Sequence, residues 1–220
     1  TNILPVEGGV SAVGKSQQVA FDTASQAVTL ISPSATELRS ILPRPPAVGE
    51  RIVFITDVVT TRQCSQCTDQ APLPVDGMQA AVVRLYGPRA GGQINAANLT
   101  SFSSMDLKNL LDNSKDKLPQ LEDDLRLAEW IVFGVQKVQA SRPESLALRR
   151  LLAQRPDLTR NKRIIVFAFN APYYLDATDI SRVTAYYGLY SKSPSFVEVA
   201  VRVLFQELPP FGASPVSVPA

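Results

Sequence analysis

Two cysteines spaced C-x-x-C, a set of aspartates at the ends of apolar runs, and a group of tyrosines are the residues here whose types and spacing bear on chemistry. Histidine is absent from all 220 residues. That removes every Ser-His or Cys-His nucleophile pair, every His-carboxylate dyad and every His-containing metal site. Cys64-Ser-Gln-Cys67 is therefore the one source of soft ligands. As a redox pair it would sit at a helix start in a thioredoxin-like pattern, and here it lies in a polar loop. As a metal site it supplies two ligands of four, so a shared ion would need a second copy of the chain. The reading that fits its surroundings is a loop staple or two free thiols.

The carboxylates Asp57, Asp69, Asp76, Asp176 and Asp179 fall at strand ends and in nearby loops. Glycosidic hydrolysis needs two such groups flanking one bond. For Asp176 and Asp179 the commoner role is helix capping or turn formation after Pro172. Asp57 is different, because an acid at the carboxyl end of a strand in an α/β fold often faces the ligand crevice. Among the tyrosines, Tyr186 and Tyr187 read as packing residues, with hydroxyls reaching for water. Tyr173 and Tyr174, with Asn170, follow a buried strand in a loop, where binding residues gather. Gly87-Pro-Arg-Ala-Gly91-Gly92 follows a helix, whereas a phosphate cradle follows a strand and opens a helix, so it is set aside.

The elements that must position these residues are legible from periodicity. Arg51–Asp57, Trp130–Val135 and Ile164–Phe169 are short apolar runs suited to strands buried on both faces, and Val28–Ile31 is a shorter one. Val183–Tyr190 is β-rich and aromatic. Helices are expected over Gln17–Ala27 (inner face Val19, Ala20, Ala24, Ala27), Val75–Tyr86, Ser104–Leu111, a segment marked by Leu118, Leu121 and Leu125, and Glu144–Ala153. Phe196–Glu207 reads as helix, because Glu198, Arg202 and Gln206 form one polar stripe and Ser193-Pro194 supplies a start signal. Arg89–Ser101 reads as a Gly/Asn-rich loop. Thr1–Lys15 suits an interdomain linker, leaving 16–220 as one domain. Alternating strands and helices imply a three-layer α/β/α sandwich around a mainly parallel sheet.

Composition narrows the class further. With 45% hydrophobic and 19% charged residues and a net charge of +2, the chain has the make-up of an ordinary globular domain. It carries no electrostatic footprint for nucleic acid. No apolar run approaches a membrane span, and no signal peptide is visible. Composition leaves the compartment open.

The segment Arg163–Pro219 resembles a known family. Leu204-Phe205-Gln206-Glu207, then Pro210, Gly212 and Pro215-Val216-Ser217, is similar to the closing motif of the C-terminal α/β domain in family 3 glycoside hydrolases. Asn170-Ala-Pro-Tyr-Tyr-Leu-Asp176 and Tyr187-Gly-Leu-Tyr-Ser191 resemble the β-N-acetylhexosaminidase branch. Members usually carry Gly at the place of Gln206, and often Lys-Leu at that of Ala213-Ser214. The resemblance implies a domain partnered with an N-terminal barrel that carries the nucleophilic aspartate and a His-Asp acid/base pair. The barrel's Lys-His-Phe-Pro-Gly-His motif has no counterpart here, so no catalytic residue can be carried over. A non-catalytic C-terminal domain without cofactor is implied, acting with the barrel on an N-acetylhexosaminide in an extracellular or cell-envelope parent. Asp57, Asn170, Tyr173, Tyr174 and Asp176 are then candidates to face the substrate or the barrel. A free-standing carbohydrate- or small-molecule-binding module is the alternative.

Overall fold

The computed structural model describes residues 14–62 and 64–213. The expected linker therefore lies almost wholly outside the described residues, and Lys15 already opens the first helix. In chain order the elements are α1 (Lys15–Ala27), β1 (Thr29–Ser32), α2 (Ala35–Ile41), β2 (Ile52–Thr56), α3 (Gly77–Tyr86), β3 (Leu99–Ser103), α4 (Ser104–Leu111) and α5 (Pro119–Leu127). There follow β4 (Trp130–Val135), α6 (Ala147–Gln154), α7 (Pro156–Thr159), β5 (Arg163–Ala168), α8 (Ala177–Ile180), β6 (Ala185–Gly188) and α9 (Pro194–Leu204).

The strands form one sheet in the order β1-β6-β5-β4-β2-β3. Every neighbouring pair is parallel except β1 with β6. Strands β2 and β4 are buried at every residue, as expected of strands covered on both faces. One face packs Ile52, Phe54, Trp130, Val132, Ile165 and Phe167 against α1, α3 and α9. The other packs Val53, Ile55, Ile131, Phe133, Ile164 and Val166 against α4 to α7. This is the α/β/α sandwich that the alternation implies.

Glu50 ties the amino end of the sheet together. Its carboxylate accepts from both terminal nitrogens of Arg44 (2.8 and 3.0 Å), from the Ala47 amide (2.9 Å), from Trp130 Nε1 (3.0 Å) and from Arg163 (3.2 Å). Burial alone would raise its pKa, and these donors overcome that and lower it from 4.5 to about 2.

Three local expectations need correcting. Leu99–Ser101, the end of the expected Arg89–Ser101 loop, belongs instead to the edge strand Leu99–Ser103, which pairs with β2 alone. Its Ser and Thr residues suit a half-covered edge, and Gln79 bonds to Leu99 O and Ser101 Oγ. In α1 only Ala24 is buried, with Phe21 packed beside it, and Val19 is exposed. Leu118, expected to mark the helix together with Leu121 and Leu125, is instead the exposed N-cap of α5. Helix α2 went unread, although Ser34, whose Oγ accepts from the Glu37 amide at 3.3 Å, starts a Ser-x-x-Glu signature.

After α9 the chain turns back as a clasp. Gln206 sits at φ 56°, and the Glu207 amide bonds to Arg202 O at 2.9 Å, closing the helix end. The Gln206 amide nitrogen reaches Leu42 O at 2.9 Å, and the Gly212 amide reaches Val28 O at 2.8 Å. A Cβ on Gly212 would collide with Ala27 O and Thr29 Oγ1, so only glycine fits this approach. The closing motif thus pins the β1 edge to the end of α9. Glu207 also accepts from the Tyr86 hydroxyl at 2.5 Å and pairs with Arg202, while Tyr86 stacks on Phe205 with ring centroids 4.0 Å apart.

Candidate functional site

The first parallel strand, β2, has β3 on one side and β4 on the other, so strand order reverses between β2 and β4. In open α/β sheets that reversal, at the carboxyl ends, is where ligands bind. Asp57 stands at this point. It continues β2, with its amide bonded to Gly134 O at 2.8 Å, and it is 2% exposed.

Its carboxylate is fully occupied from within the chain. Arg142 lies 2.5 Å from Oδ1 and 3.3 Å from Oδ2, and the Gln136 and Lys137 amides donate to Oδ2 at 3.2 and 3.1 Å. Gln136 Nε2 donates to the Asp57 carbonyl at 2.6 Å, and Arg142 Nε reaches Glu144 at 3.0 Å. Burial works against the Arg142 cation, but Asp57 and Glu144 overcome that and raise its pKa. The crevice is thereby plugged by a hydrogen-bonded ion pair. Four donors, two of them from a guanidinium, hold this carboxylate, and its geometry is that of a fastener joining the β2 and β4 ends. Arg142 lies 85 residues from Asp57, and no local sequence pattern announces that pairing.

Further along the same edge, the loop after β5 carries the other candidates. Asn170 is exposed, Tyr173 is 44% exposed, and Tyr174 is half-buried. Asp176 caps α8 by accepting from the Asp179 amide at 2.9 Å. Arg149 of α6 lies 2.5 Å from both the Asp176 and Asp179 carboxylates. The loop is buttressed by the Tyr187-Gly-Leu-Tyr segment. Tyr190, at φ 65°, and Pro172 both crowd Gly188, whose absent Cβ would meet them at 3.1 and 3.2 Å. Among the described residues, the buried hydroxyls of Tyr186 and Tyr190 have no hydrogen-bond partner. Burial, with a smaller push from the Tyr174 and Tyr190 hydroxyls, raises the Tyr186 pKa, so that hydroxyl stays protonated.

The structure therefore groups Asn170, Tyr173 and Tyr174 as one exposed edge, with Asp176 committed to α8 and Asp57 two strands away across β4. Cys64 and Cys67 are joined in a disulfide, Cα atoms 5.1 Å apart, in the loop after β2. That loop is closed by paired Thr61 and Gln70 backbone bonds and by Arg62 with Asp69 at 2.9 Å. In this state neither sulfur offers a thiolate to a metal. Among the described residues no helix is long and apolar enough to cross a membrane.

Neither a protein-family model nor a curated protein sequence matches the chain. Solved structures do match. One is a fungal multi-domain family 3 β-N-acetylglucosaminidase with a GCN5-related glucosamine N-acetyltransferase region (TM-score 0.60, 18% identity, 95% of this chain and 20% of that one). Another is a family 3 β-N-acetylglucosaminidase from a Paenibacillus species (TM-score 0.59, 11% identity, 98% and 35%). A third is β-glucosidase 3B from Thermotoga neapolitana (TM-score 0.52, 10% identity, 89% and 30%). The chain shares its fold with a part of these multidomain glycosidases. It spans between a fifth and about a third of their length.

Proposed function

We propose that this chain is the non-catalytic C-terminal α/β domain of a family 3 glycoside hydrolase of the β-N-acetylhexosaminidase type. The observation that carries the reading is the fold shared with two β-N-acetylglucosaminidases over 95% and 98% of this chain. Two features of the residues support it. Histidine is absent, and the best-placed carboxylate, Asp57, is consumed by Arg142. The domain packs on a barrel through the loops at the carboxyl edge of the sheet, with Asn170, Tyr173 and Tyr174 at the contact. Together the two act on an N-acetylhexosaminide, with the chemistry supplied by the barrel. The Cys64–Cys67 disulfide suits an oxidising compartment outside the cytosol.

The chain alone should release no nitrophenol from 4-nitrophenyl N-acetyl-β-glucosaminide above the buffer rate. Enzyme-like turnover would overturn the assignment. In a protein that also contains the barrel, replacing Tyr173 and Tyr174 by alanine should loosen domain docking, read as faster proteolysis between the domains. Unchanged docking and turnover would move the contact elsewhere.

A further inference from the structure

The Cys64–Cys67 disulfide does little for the fold that carries it. It joins residues three apart, and so short a ring removes little freedom from the unfolded chain. The loop around it is held by other means. Thr61 and Gln70 exchange backbone bonds of 2.8 and 2.9 Å, and Arg62 bonds to Asp69 at 2.9 Å. Below them the two stems are fixed, Val58 O by Arg142 at 3.4 Å and Val75 O by the Thr56 hydroxyl at 3.0 Å. None of the described residues between 58 and 72 is buried, so no core packing depends on the bond. Cys64 is exposed and Cys67 half-buried.

Disulfides that staple a fold resist reduction, whereas exposed ones are labile and serve regulatory or catalytic roles. The spacing here also favours re-closure. Both cysteines sit on one turn, with the Cys67 amide bonded to Cys64 O at 3.1 Å, so the two sulfurs stay together when the bond is open. We propose that Cys64 and Cys67 form a reversible thiol–disulfide exchange site at the carboxyl edge of the sheet, with a dithiol as co-reactant. A thiolate of the dithiol attacks the more exposed Cys64 Sγ and forms a mixed disulfide, while Cys67 leaves as a thiolate and takes up a proton. The second thiol of the dithiol gives up its proton and attacks its own partner sulfur, which releases Cys64. Two electrons pass to the chain, the dithiol ends as a disulfide, and Cys64 and Cys67 each carry a proton. Reduction loosens the tip of the loop and leaves the sheet in place. The site does not depend on the glycosidase assignment.

The whole chain, without denaturant, is treated with dihydrolipoate as a small dithiol and with reduced thioredoxin as a protein one, and the thiols released are alkylated and counted by mass. Two alkylated cysteines are expected with at least one of them, and which one acts tells a small reductant from a protein. Failure of both to open the bond would overturn the proposal. The rate should rise in proportion to dihydrolipoate and be the same in Glu50→Gln, whose lost contacts lie at the opposite end of the sheet. A faster rate in Glu50→Gln, or one that levels off with dihydrolipoate, would show that the bond opens only on unfolding, and would overturn the proposal. Far-UV circular dichroism should not change on reduction, and amide exchange should quicken within residues 58–74 alone. Its spread into β2 or β4 would make the bond a structural one. With one cysteine left, Cys67→Ala should react with 5,5′-dithiobis(2-nitrobenzoate) faster than Cys64→Ala, and the reverse order would overturn the assignment of Cys64 as the sulfur attacked.

Discussion

Asp57 shows how a residue type suggests one role and its neighbours enforce another. Its place at the end of β2 was legible, because the apolar run Arg51–Thr56 fixes the strand and the acid follows it. Its partner was not, because Arg142 arrives from a distant loop. Asp57→Asn should cost about 1–3 kcal/mol in denaturant unfolding, since it removes the charge that Arg142 and the two amides hold while leaving Arg142 its pair with Glu144. A cost under ~1 kcal/mol would mean the pair is not the fastener its geometry describes. Tyr186 predicts the opposite sign. Its buried hydroxyl lacks a partner, so Tyr186→Phe should be neutral or stabilising by up to ~1 kcal/mol. Gln206 stands where the resembling family carries glycine, and its φ of 56° says why glycine suits. The glutamine regains stability through its bond to Leu42. Gln206→Gly should therefore change stability by less than about 1 kcal/mol, and Gln206→Ala, which loses the bond without the backbone freedom, should cost about 1 kcal/mol.

At the scale of elements, fully buried strands and strongly periodic helices announced themselves. β4 matches its expected limits, and α9 proved helical despite alternating valines, because its polar stripe recurs every fourth residue. The misses share a cause: segments whose pattern is set by a neighbour rather than by themselves. β3 is an edge strand of Thr and Ser, with little hydrophobic signal of its own, and α2 has no fully buried residue to betray a face. The clasp was visible as a motif, but its task was not, since Gly212 matters through atoms of Ala27 and Thr29. Gly212→Ala should detach the β1 edge, seen as amide exchange quickening in β1 before it quickens in β4 or β5. In the loop after β2, Cys64→Ser removes a short covalent ring worth at most about 2 kcal/mol in the chain-entropy account. Its effect should stay local to residues 58–74, and loss of the whole fold would contradict this picture.

For the whole molecule, the Glu50 hub sets the response to acid. Its folded pKa is depressed to about 2 against 4.5, so its contribution is present above about pH 4.5 and fades as pH falls toward 2. The shift corresponds to on the order of 3 kcal/mol at most. Urea midpoints should fall between pH 5 and pH 2, and Glu50→Gln should lower the midpoint at pH 6 while flattening that acid slope. A variant with an unaltered slope would assign acid sensitivity to other carboxylates. The sheet's two borders carry a further consequence. β1 is four residues long with an irregular register, and β3 is studded with hydroxyls and bridged by Gln79. Neither border offers a long, flat, greasy template, so stacks of molecules cannot easily knit sheet to sheet, and concentrated solutions of the native protein should stay clear rather than seed fibrils.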